Sequence, residues 1–135
     1  MMRGAALGLC LLPAPLLAQE LIGFQSPSGN IACMIAIGDY AEARCDLREL
    51  VPSFTERPAD CDLDWGDSFA VTPEGRRGEL VCHGDTVLDP SFPVLPYGSS
   101  VRLGPFSCSS EQSGITCVNG AAHGFTLSRA RQSLF

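Results

Sequence analysis

The sequence predicts an all-β fold, a small antiparallel barrel or sandwich stapled by three disulfides. Three observations point there. Fourteen Gly and ten Pro cut the 135 residues into short segments, many of them β-branched or aromatic, which is the rhythm of strands and turns. No segment sustains the apolar period of a long helix. Seven cysteines are spread along the chain, six of them beyond an N-terminal leader, and an even set in a small exported chain reads as a disulfide framework.

The leader comes first. Arg3 supplies one positive charge, an apolar run follows to Leu17, and polarity returns at Gln19-Glu20 after the small residue Ala18. This is the secretory pattern, and it predicts a signal peptide over residues 1–18 and one mature domain over residues 19–135. The run is too short to span a bilayer comfortably, since spanning needs about 20 apolar residues. Cys10 raises a lipoprotein alternative, against which stand the bulky Leu9 before it and its very early position. No later segment is long and apolar enough to anchor the chain. A soluble product in a periplasm or outside the cell is expected.

The strands follow in order. Residues 31–37 and 43–47 read as two arms of a hairpin turning at Gly38-Asp39. Residues 68–72 and 79–82 read as a second pair around Pro73-Glu74-Gly75, and residues 86–88 as a short strand. Three prolines make residues 90–98 an irregular crossing. Residues 101–109, 115–118 and 124–129 read as a closing meander, with a helical turn in the tail from Ala130. On this layout Cys33 and Cys45 lie on the arms of the first hairpin, and Cys61 and Cys82 bracket the second pair. Cys108 and Cys117 flank the turn at Gln112-Ser113-Gly114. Spacing alone does not choose among the possible pairings. Nearest-neighbour pairing is expected, because each bridge then staples a local unit. The close Cys pairs typical of zinc sites are missing from the sequence, and no cofactor is expected.

Charge excludes some partners. Beyond the leader the chain holds eight Arg, no Lys and fifteen acids, a net charge of −7. Nucleic-acid binding needs a basic face and anionic lipid needs a basic patch, so neither is expected as a partner. Asp60, Asp62 and Asp64 alternate as calcium ligands do in tight loops. The EF-hand pattern fails there, because Trp65 stands where that loop needs Gly and Val71 where it needs a bidentate Glu. A different calcium loop and a solvated acidic turn around a disulfide both remain open.

A resemblance runs through nearly the whole mature chain. It begins with Phe24, Ser26, Pro27, Gly29, Asn30 and Cys33, and continues through Arg44-Cys45-Asp46-Leu47 and Cys61-Asp62-Leu63-Asp64-Trp65-Gly66. Cys82-His83-Gly84-Asp85-Thr86-Val87 and Leu95-Pro96-Tyr97-Gly98 follow. It closes with Gly114-Ile115-Thr116-Cys117-Val118-Asn119 and the run from His123 to Arg129. These motifs resemble a family of small exported bacterial proteins, the domain-of-unknown-function 6636 family. The resemblance implies export and this cysteine set, and it carries no reaction, ligand or catalytic residue.

Two classes of function are compatible with the residues. The first is a non-enzymatic binding module of the cell envelope, with an envelope protein as partner. Its candidate surface is Ser26 and Asn30 in the first turn, Tyr97 in a second loop, and Arg102 and Arg129, since Tyr and Arg are favoured at contact surfaces. An enzyme-inhibitor-like role is a variant of it, by analogy of fold alone. The second class is a small secreted hydrolase using His83 or His123 with an acid such as Asp85 and a serine such as Ser109, Ser110 or Ser128. No serine stands in a Gly-x-Ser-x-Gly elbow, and no catalytic residue is assigned from sequence.

Overall fold

The computed structural model describes residues 4–6, 8–9 and 19–135; most of the expected leader, with Cys10 and the cleavage site at Ala18, lies outside the described residues. The described residues form ten strands. They are β1 (Glu20–Gln25), β2 (Ile31–Ile37), β3 (Glu42–Leu47), β4 (Ser68–Val71), β5 (Glu79–Leu80), β6 (Ser100–Leu103), β7 (Phe106–Glu111), β8 (Gly114–Val118), β9 (Gly124–Leu127) and β10 (Gln132–Leu134). Each of two antiparallel sheets is a simple meander: β1 to β5 in chain order form the first, and β6 to β10 form the second. The sheets are not closed into one cylinder, so the expected barrel or sandwich resolves as a sandwich.

Alternation sets the faces. In β7 and β8, Phe106, Cys108, Ile115 and Cys117 point inward and are buried, while the residues between them are partly exposed. The same alternation carries Ile35, Cys33 and Ile31 of β2 into the core, where Leu47, Phe69, Val71, Phe125 and Leu127 complete the packing between sheets. The strands β3 and β4 depart from this rule, because nearly every residue in them is buried. Their outer face carries Arg44, Asp46 and Ser68, and a loop covers it.

Three bridges staple the sandwich: Cys33–Cys45, Cys61–Cys82 and Cys108–Cys117. The first and third join residues that sit directly opposite one another on neighbouring strands, with Cα atoms 4.0 and 4.1 Å apart. That is the close type of cross-strand pair, in which the two side chains face each other across the ladder gap.

The structure adds one strand and corrects three expectations about elements. Strand β1 was not anticipated; Ile22 and Phe24 turn toward the core, and Gly23 leaves room for the Phe92 ring, which a Cβ there would meet at 2.5 Å. Residues 101–109 are not one strand, because Gly104-Pro105 turns the chain tightly between β6 and β7, with Gly104 at φ +55°. Residues 86–88 form no strand, since Thr86 Oγ1 and the Val87 amide are committed to Asp46 at 2.8 and 3.0 Å. The tail is not a helical turn but the edge strand β10, whose Gln132 amide is held by Ser53 Oγ at 3.0 Å. Among the described residues there is no helix long and apolar enough to cross a membrane.

Candidate functional site

In an up-and-down meander, every second connection falls at the same end. The connections after β1, β3, β5, β7 and β9 meet at one end of the sandwich, and there they enclose an open groove of about 1020 Å3. Its walls include Ser26, Asn30, Arg48, Tyr97 and Arg129, and Ile31 and Ile115 also line it. Four of the five residues singled out from sequence as a contact surface are therefore brought together. The fifth, Arg102, is exposed on the edge strand β6 and lies outside the groove.

The first wall is a tight turn sewn to β3. Gly29 at φ +74° reverses the chain, and its amide donates to the Ser26 carbonyl at 2.9 Å. Ser26 Oγ accepts the Ile31 amide at 3.1 Å and contacts Ser28 Oγ at 3.2 Å. Asn30 uses both ends of its amide on one residue: Nδ2 donates to the Glu49 carbonyl at 2.9 Å, and Oδ1 accepts the Glu49 amide at 2.9 Å. Arg48 Nε donates to the Gly29 carbonyl at 3.0 Å. Ser26 and Asn30 thus shape the wall, and their polar groups are committed within the protein.

The opposite wall offers freer groups. Tyr97 is half exposed, and its loop is fixed to β7 by the Gly98 amide on the Ser110 carbonyl at 2.7 Å and the Ser110 amide on the Ser99 carbonyl at 3.0 Å. Arg129 pairs with Glu49 across the mouth at 3.3 Å, with both side chains largely exposed. Such a pair contributes little to stability, on the order of 0–1 kcal/mol, so its members are available to a ligand. Two arginines, Arg48 and Arg129, face two acids, Glu49 and Glu111, which leaves the groove balanced in charge within an acidic protein. Sequence reading placed a turn at Gln112-Ser113-Gly114 but singled out neither Arg48, Glu49 nor this turn for the site. Their signal was positional, since all belong to connections at the same end.

A second polar cluster occupies the outer face of β3 and β4. The Asp46 carboxylate, 1 % exposed, accepts Arg44 Nε at 3.0 Å, Arg44 Nη2 at 3.1 Å, Ser68 Oγ at 2.6 Å, Thr86 Oγ1 at 2.8 Å and the Val87 amide at 3.0 Å. Burial pushes its pKa up, and the hydrogen bonds from Arg44, Ser68, Thr86 and Val87 outweigh burial and hold it below the usual carboxylate range. Arg44 reaches on to Asp85, through Nη1 to Oδ1 at 3.3 Å and Nη2 to the carbonyl at 3.1 Å. His83 lies beside them, 6 % exposed, with Nε2 on Asp67 Oδ1 at 2.8 Å and Nδ1 against the Asp85 carbonyl. Burial works to lower its pKa, but the Asp67 carboxylate and the Asp85 carbonyl prevail and raise it. The cluster fastens residues 83–87 over the sheet.

This arrangement bears on the hydrolase alternative. Both ring nitrogens of His83 face acceptors, so neither is placed to take a proton from a serine. Ser68 Oγ is spent between Asp46 and Arg44. Ser110 is fully buried with its hydroxyl unpartnered, and Ser128 Oγ donates to the Arg131 carbonyl at 3.0 Å. His123 is partly exposed, and its backbone is held by Asn119, whose Oδ1 accepts the His123 amide at 3.1 Å. Among the described residues, no hydrogen bond joins either histidine to a serine hydroxyl.

The acidic run is also located. Asp60, Asp62 and Asp64 are exposed, and they are not drawn together into a ligand set among the described residues. The Asp64 backbone pairs with His83 instead, at 2.8 and 3.0 Å. Trp65 is half-buried and lines a smaller cleft of about 540 Å3 with Phe54, Arg77, Leu80 and Leu134. The cysteine sulfurs do cluster: those of Cys33, Cys45 and Cys117 lie within 4.8 Å of one another, and all three are in disulfides.

Residues 5–135 match the model described as a family of unknown function (DUF6636). No curated protein and no solved structure matches the chain.

Proposed function

Because the chain belongs to this family of unknown function, we propose its role from the molecule itself: a non-enzymatic binding module of the cell envelope that seats a protein partner in the end groove. The observation that carries this reading is the convergence of Ser26, Asn30, Tyr97 and Arg129 from both sheets on one groove of about 1020 Å3. Loops at the end of a rigid sandwich are a common place for recognition, since the scaffold fixes them and leaves their tips free. Tyr97 supplies a half-exposed aromatic surface and Arg129 a planar cation, two residue types that dominate binding energy at interfaces. The structure's three disulfides suit an oxidising, extracytoplasmic environment. We place the mature chain, released after Ala18, in the periplasm or outside the cell.

The hydrolase alternative has less support, because His83 is held between two acceptors in the loop that covers the sheet. An inhibitor-like role remains a special case of the binding reading, in which the partner is an enzyme and the groove end enters it.

The test is capture of envelope proteins from the source organism on immobilised oxidised protein, run beside the Tyr97→Ala/Arg129→Ala double variant and a His83→Gln variant. A partner retained by the wild type and by His83→Gln, and lost at least tenfold on the double variant, is the expected result. Equal retention by the double variant would move binding away from the groove and overturn the proposal.

A further inference from the structure

The two cross-strand disulfides are not independent. Cys33–Cys45 projects inward from the first sheet and Cys108–Cys117 from the second, and all four residues have no solvent exposure. The bridges meet in the middle of the core, where Cys45 Sγ lies 3.7 Å from Cys117 Sγ. The third bridge, Cys61–Cys82, stands apart in the connecting segments.

Thiol–disulfide exchange begins with a thiolate reaching one sulfur of a disulfide. Here a thiolate formed at Cys45 has Cys117 as an immediate neighbour, and one formed at Cys117 has Cys45. External thiols have no access to these sulfurs until the sheets open, so the neighbouring bridge is the nearest electrophile.

We propose that Cys45 and Cys117 form a built-in exchange pair, through which two bridges within sheets convert into one bridge across the sandwich. The step balances without an added oxidant. The Cys45 thiolate attacks Cys117 Sγ, the Cys45–Cys117 bond forms, the Cys117–Cys108 bond breaks, and Cys108 leaves as a thiolate that takes up a proton. One disulfide and one thiol are present before and after. In the native chain the first thiolate requires a small thiol from outside, which reaches Cys33 Sγ when the sheets transiently open, forms a mixed disulfide there and releases Cys45. The product differs mechanically from the native form. Native bridges hold strands together within a sheet, whereas the exchanged bridge ties sheet to sheet.

The test uses two variants that each leave one thiol in the cluster. Cys33→Ala frees Cys45, and Cys108→Ala frees Cys117. Each oxidised protein is quenched in acid, labelled with a maleimide under denaturing conditions and mapped without reduction. The expected result is a Cys45–Cys117 peptide in both variants, with label on Cys108 in the first and on Cys33 in the second. Label confined to Cys45 and Cys117 respectively, with the native partner bridge intact, would overturn the proposal. A third arm does not depend on the variants folding: wild-type protein is titrated with limiting dithiothreitol, with Cys61–Cys82 as internal reference. Cys45–Cys117 should then exceed every other non-native link at least tenfold, and that preference should vanish in guanidinium. Loss of the native bridges with no such preference would also overturn it.

Discussion

At Asp46 and His83, burial and hydrogen bonding act in opposite directions, and at both residues the hydrogen bonds prevail. Their effects on stability therefore bracket a pH window. Asp46 has a lowered pKa, so its contribution is present above the unfolded carboxylate value of about 4 and is lost as pH falls through the folded value. His83 has a raised pKa, so its contribution is complete below about 6.5 and is lost as pH rises through the folded value. Deprotonation leaves either Asp67 or the Asp85 carbonyl without its donor. Denaturant midpoints measured across pH should show a plateau between about 4 and 6.5, declining on both sides. In His83→Gln the alkaline decline should flatten. An alkaline limb identical to wild type would remove His83 from this role.

At the scale of elements, the close approach of strands depends on particular glycines. A Cβ on Gly124 of β9 would stand 1.8 Å from the Cys117 carbonyl oxygen on β8, which no side-chain rearrangement relieves. Gly124→Ala should push the two strands apart and cost at least ~1–3 kcal/mol, as overpacking does. Gly120, whose Cβ would meet nothing within 4 Å, is the control, and its substitution should stay within about 0.5 kcal/mol of wild type. Urea unfolding of both variants measures the difference. The central strands were legible in the sequence because flanking turn residues bound a short apolar run in β2 and an alternating one in β8. Other elements were hidden for identifiable reasons. Gly104-Pro105 is a two-residue turn inside an otherwise continuous run, and β10 is only the three residues Gln132-Ser133-Leu134, with one apolar side chain. Tyr97 and Arg129 could be named from residue type, whereas Arg48 and Glu111 emerge only once the strands are counted and the connections assigned to ends. The Arg44–Asp46 pair was hidden differently, because a charged pair flanking Cys45 reads as an exposed strand face until a loop is seen to cover it.

For the whole molecule, stability rests on a modest core and three bridges. A domain of this size buries limited apolar surface, and removing a native disulfide from a small secreted domain costs ~2–5 kcal/mol. Full reduction should lower the melting temperature sharply or unfold the protein at physiological temperature, as read by circular dichroism with and without reductant. An unchanged melting curve would show that packing alone maintains the sandwich.

The ends of the meanders carry one more consequence. Both sheets are open, and an open sheet presents unpaired backbone groups at its margins. Here β5 has two residues and β10 three, while β6 has four with Arg102 pointing outward. The longest margin, β1, is closed at Gln25, whose amide donates to the Pro93 carbonyl at 2.9 Å while its own carbonyl accepts the Leu95 amide at 2.8 Å. The Gln25 side chain adds bonds to the Pro90 and Phe92 carbonyls at 3.1 and 2.7 Å. Short, charged or capped margins are what keep β proteins from templating on one another. The proline-rich crossing therefore denies a neighbouring chain the Gln25 end of β1, the longest of these margins.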